Sequence, residues 1–123
     1  MLARRSDDQA ARGFLDCLEL ARHVDDEFNA GEALMGLSTL AALSGRWVDA
    51  ARMAGASVAV HEQIGAPPWE SVTAMHERAL ATARHALGGE RFAAHVLEGR
   101  RLSPEDAAHL YGASVDAVAS AAR

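Results

Sequence analysis

The stretch that most constrains this chain runs from Glu32 to Ile64, EALMGLSTLAALSGRWVDAARMAGASVAVHEQI. It holds two segments of helical period with Ser44-Gly45-Arg46 between them. In the first, from about Ala30 to Ser44, Leu34, Leu37, Leu40 and Ala41 share one face, and Gly45 suits a helix C-terminal turn. In the second, from about Trp47 to Ile64, Trp47, Ala51, Ala54 and Val58 recur at helical spacing. Gly55, Ala56 and Ser57 keep that side thin, so another helix can approach closely. The stretch therefore predicts an antiparallel helical hairpin whose separation is set by small residues.

The flanking sequence extends the same architecture. Ser6-Asp7-Asp8-Gln9 has the pattern of a helix start, with residues 1–5 as a flexible lead. Phe14, Leu18 and Ala21, with Cys17, Leu20 and Val24 beside them, form a broad apolar stripe to about His23, and Asp25-Asp26-Glu27 and Asn29 read as a connection. Gly65-Ala66-Pro67-Pro68 stops the third helix. A fourth begins near Trp69 or Glu70, its apolar line Val72, Met75, Ala79, Ala83 and Ala86, and Gly88-Gly89 break it. A fifth, Glu90 to about Gly99, buries Phe92 and Val96. Ser103-Pro104-Glu105-Asp106 starts a sixth, to about Tyr111, and residues 113–123 read as a frayed terminal helix. No segment alternates long enough to suggest a strand. The prediction is an all-α fold of about six helices, one domain over residues 1–123.

Composition narrows the function classes. Of the residues 50% are hydrophobic but only 5% aromatic, so Ala, Leu and Val carry the core. A formal charge of −5 argues against a nucleic-acid surface, which needs concentrated positive charge. A lone cysteine, Cys17, allows no internal disulfide and suggests a reducing cytoplasm; within its apolar stripe it reads as a small core residue. The apolar runs are too short for a membrane span.

With Gly31 as first position, the central hairpin matches a 34-residue tetratricopeptide unit. Leu34 and Leu37 then lie in the first helix, Gly45 at the turn, Trp47 at the large turn-side position, and Ala50, Ala54 and Ser57 where the helices cross. Ser38 replaces the usual Gly or Ala and Glu62 the usual Pro, so the unit is degenerate. The neighbouring helices read as parts of adjoining repeats, which bury their faces by stacking.

A second likeness covers roughly residues 30–112. The elements Ala51 to Met53, Gly55 to Ser57, Ile64 to Pro67, Leu87 to Phe92 and Glu98 to Ala107 resemble the C-terminal helical region of large actinobacterial ATP-binding regulators of the LuxR and AfsR type, a region also found beside cyclase domains. The resemblance implies a non-catalytic, protein-binding segment of a signalling ATPase, contacting a protein partner or neighbouring domains of the parent chain. Separately, exposed helix faces leave room for a homodimer. It brings no ATPase: the chain has no Lys, and a phosphate loop needs one.

The remaining motifs point to no cofactor. His61-Glu62 and His76-Glu77 begin like a zinc motif, but Gly65 and Leu80 stand where the second His belongs. Asp106/His109 and His95/Glu98 are single pairs. No nucleophile elbow accompanies the serines. Residues 103–123 resemble a helix-turn-helix, which makes a small DNA-binding module the alternative function, yet Arg123 is the only basic residue of its second helix. Arg100 and Arg101 form the candidate contact surface. Trp47 reads as packing, and Trp69 as a residue that pins the Pro67-Pro68 loop.

Overall fold

The computed structural model describes the backbone of residues 2–111 and the side chains of residues 9–111. Among the described residues six helices follow one another: α1 (Leu2–His23), α2 (Glu27–Leu43), α3 (Trp47–Ile64), α4 (Glu70–Leu87), α5 (Gly89–Arg100) and α6 (residues 104–111). The all-α class is shown, with no strand among the described residues.

The molecule is built around α2, buried at every position from Ala30 to Thr39 because α1, α3 and α4 pack on different sides of it. A helix apolar or small all round can occupy such a place. α3 lies along α2 and is covered on its other side by α5. α6 returns toward the start of the fold: Arg22 of α1 bonds Glu105 at 2.9 Å, and the buried Tyr111 ring lies 4.3 Å beneath the Arg46 guanidinium of the α2–α3 turn.

Several boundaries and facings differ from the sequence expectations. α1 starts at Leu2, because Leu2-Ala3-Arg4-Arg5 are good helix formers and carry the helix through Ser6. α2 begins at Glu27 rather than Ala30: the Asp26 side chain caps it by accepting from the Asn29 backbone N–H at 3.1 Å, so Asp25 to Asn29 is a helix start, not a loop. That bond and one from the Asn29 side chain hold the Asp26 carboxyl below its ordinary pKa, the side-chain bond contributing most.

The stripe on α1 is narrower than predicted. Ala11, Leu18 and Ala21 are buried, whereas Cys17, Leu20 and Val24 face outward, so Cys17 is not a core residue. On α4 the buried line is His76, Ala79 and Ala83; Met75 and Ala86 are exposed. A rotation of one residue has exchanged Met75 for His76. Residues 112–123, including the second helix of the helix-turn-helix alternative, lie outside the described region.

Candidate functional site

The polar side chains inside the bundle are the place to look for chemistry, because each must justify its desolvation. Two serines fasten the central hairpin. Ser38 Oγ, on α2, donates to the Ala50 carbonyl of α3 at 2.6 Å, and Ser57 Oγ, on α3, donates to the Gly31 carbonyl of α2 at 2.9 Å. Both residues are 0% exposed. Leu34, Leu37 and Ala50 are also fully buried, Ala54 nearly so, and Trp47 is half-buried against the same core. Gly45 takes the left-handed turn conformation at φ 79°. The seven residues singled out on the hairpin therefore form its packing and its turn.

His76 of α4 lies 2.8 Å from Ser38 Oγ through Nε2. The Ser38 hydrogen is committed to Ala50, so His76 Nε2–H is the donor and Ser38 the acceptor. Three helices are joined by this relay. Burial pushes the His76 pKa down to about 4, matching the neutral donor the geometry requires. A nucleophilic serine would need the opposite polarity, with histidine accepting its proton, and access for a substrate. Ser38 has neither.

A second cluster closes the far end of the hairpin. Glu32 is buried and accepts from the Trp69 backbone N–H at 3.2 Å, while its Oε2 has no partner. His61 Nδ1 donates to the Ala66 carbonyl at 3.2 Å; its Nε2 stands 3.5 Å from Glu32 Oε1 without forming a hydrogen bond. Phe28 packs edge-on against both His61 and Trp69, at 5.4 and 5.3 Å. The cluster holds the Gly65–Trp69 turn against α2. A recess of about 310 Å³ opens beside it, lined by Met35, Val58, His61, Pro67 and Pro68 among others. Trp69 holds the loop to α2 through its backbone N–H and touches Phe28 with its ring, while the residue as a whole remains 58% exposed.

Among the described glycines, the closest backbone approaches lie between α3 and α5. A Cβ added at Gly55 would sit 2.0 Å from the Val96 carbonyl oxygen, and one at Gly99 would sit 1.8 Å from that of Arg52. Ion pairs flank these glycines: Arg52 to Glu98 at 2.8 Å and Arg100 to Glu62 at 2.6 Å. Glu98 also receives His95 at 3.0 Å, so the His95/Glu98 pair belongs to this seam. Bonds from His95 and Arg52 lower the Glu98 pKa, and the Arg100 bond lowers that of Glu62. Arg100 is thus engaged within the chain, whereas Arg101 caps α5 and is exposed.

No group of three His, Cys, Asp or Glu side chains converges on a metal-sized space among the described residues. The histidines at 61 and 76 were the residues hardest to place from sequence. The signal available was their helical phase, each aligned with small buried positions. No family model, curated protein or solved structure matches the chain significantly.

Proposed function

We propose that the chain is a protein-contact segment, built as degenerate tetratricopeptide-like hairpins, of a cytoplasmic regulator similar to the actinobacterial LuxR and AfsR type. The observation that carries this reading is a division of labour. Inside the bundle Ser38, Ser57 and His76 engage one another or backbone, while Leu20, Val24, Leu43, Trp69, Met75 and Leu97 are each more than half exposed. Exposed large apolar side chains are the raw material of protein interfaces. Three of the motif elements that carry the resemblance also meet in the fold: Arg52, from the first, pairs with Glu98 and turns its carbonyl to Gly99, and Gly55, from the second, faces the Arg100 backbone, while Glu98, Gly99 and Arg100 belong to the last.

The test is the coding sequence around this segment, followed by binding. A phosphate-loop ATPase is expected in frame or in the adjacent gene, and the purified ATPase should bind the chain and change its ATP turnover when the chain is added. Binding to duplex DNA should be absent at low salt. Salt-sensitive DNA binding, with no effect on the ATPase, would replace this reading with the DNA-binding module.

A further inference from the structure

We propose that Glu32 and His61 form a proton-dependent latch that holds the Gly65–Trp69 turn against α2 and so shapes the recess beside it. The inference goes beyond the protein-contact reading and does not depend on it. Glu32 and His61 are 8% and 5% exposed, and each keeps one polar atom without a hydrogen-bond partner, Oε2 and Nε2. The turn is tied to this pair twice: the Trp69 N–H donates to Glu32 Oε1 at 3.2 Å, and the Ala66 carbonyl accepts from His61 Nδ1 at 3.2 Å. Pro67 and Pro68 between them have no N–H to add, and the Gly65 and Ala66 N–H groups are spent on the last turn of α3. Among the described residues, Glu32 alone ties α2 to this turn by a hydrogen bond.

The bond to Ala66 fixes a proton on Nδ1 and leaves Nε2 facing Glu32 Oε1 at 3.5 Å. Without a second proton two buried lone pairs oppose each other and neither group is satisfied. With a proton on Nε2 the same contact becomes an imidazolium–carboxylate pair. The ring has no room to turn from this contact, since a Cβ at Gly31 would stand 2.8 Å from Nε2 and Phe28 packs edge-on against it. Among the described residues no other acidic oxygen lies within 4 Å of the His61 ring nitrogens, and no other basic nitrogen within 4 Å of the Glu32 carboxylate. Nearby, Glu62 of α3 and Arg100 of α5 pair with each other, and Glu70 of α4 is exposed. Loss of the proton leaves a buried carboxylate with one hydrogen bond, which favours a turn that moves aside and admits water. Gly65, Ala66, Pro67 and Pro68 also wall the recess with Met35 and Val58, so its shape changes with the latch. The latch is closed while the proton is present and opens as pH rises through the histidine range, about pH 5 to 8. His76 acts in the opposite sense, since its contribution is lost as pH falls.

Amide hydrogen exchange followed by NMR on the full chain across about pH 5 to 8, corrected for the intrinsic exchange rate, tests this. Protection of the Trp69 amide should fall about tenfold toward the alkaline end, and both His61 ring nitrogens should carry protons at the acid end. Glu32→Gln keeps an oxygen for Trp69 but removes the charge, and there the fall should vanish or reverse. His76→Leu should retain it, which separates the two histidines. Trp69 protection that is flat or rises with pH, a bare Nε2 at the acid end, a fall that persists in Glu32→Gln, or its loss in His76→Leu overturns the proposal. If Glu32→Gln does not fold, the ring nitrogens and the Trp69 amide of the unaltered chain still decide it. None of these readings involves the ATPase, so the protein-contact reading stands or falls separately.

Discussion

Ser38 and His76 show how one buried position sets the demands on another. Ser38→Ala removes the acceptor of His76 and the extra donor to Ala50, leaving a buried N–H without a partner. Urea unfolding should show a loss of about 2 kcal/mol. Ser38→Ala combined with His76→Leu should cost less than the sum of the single changes, because the orphaned donor leaves with the ring. The same histidine makes stability depend on pH. Its folded pKa, about 4, lies below the ordinary 6.5, so between those values the unfolded chain binds the additional proton. The contribution is intact above pH 6.5, falls as pH drops through the window and is fully lost below about pH 4. The gap corresponds to about 3 kcal/mol. Urea midpoints measured across this range should fall less steeply in His76→Leu. In the sequence His76 had a failed metal motif and a helical phase shared with Ala79 and Ala83, but neither role, because burial and the Ser38 acceptor come from different helices.

Among the elements, the α3–α5 seam depends most on what its residues lack. The Gly-Ala-Ser run of α3 predicted a close approach, and the structure supplies α5 as the helix that makes it. Gly55→Ala and Gly99→Ala each force a methyl against a backbone carbonyl that cannot rotate away. Thermal unfolding of each should show a loss of about 1–3 kcal/mol, the cost of overpacking. Gly13→Ala should do the reverse, gaining about 0.5–1 kcal/mol from helix propensity at a position with open space. Removing the exposed carboxylate that Arg52 and His95 share, as in Glu98→Gln, should leave the thermal midpoint nearly unchanged, since water and salt screen it. The glycines, and not the arginines beside them, set the distance between the helices. The sequence motifs contained all these residues but not their pairing, because 44 positions separate Gly55 from Gly99.

At the scale of the whole molecule, α6 decides how the helices end. Tyr111 is 2% exposed and stacks under Arg46, while Arg22 and Glu105 join α6 to α1. Tyr111→Ala should cost about 3 kcal/mol, the scale of removing a buried aromatic ring. Hydrogen exchange should then accelerate at the α2–α3 turn as well as in α6, which would show that α6 supports the central hairpin. The amino-acid sequence was sufficient for the all-α class, for α3 and α4 nearly to the residue, and for the small-residue face of α3, because these follow from local periodicity, caps and breakers. It was not sufficient for the outward face of α1, the inward turn of His76, the partner of Gly55 or the return of α6. Each of those depends on which surface another helix covers, and a helix with two usable apolar lines does not contain that choice within its own period.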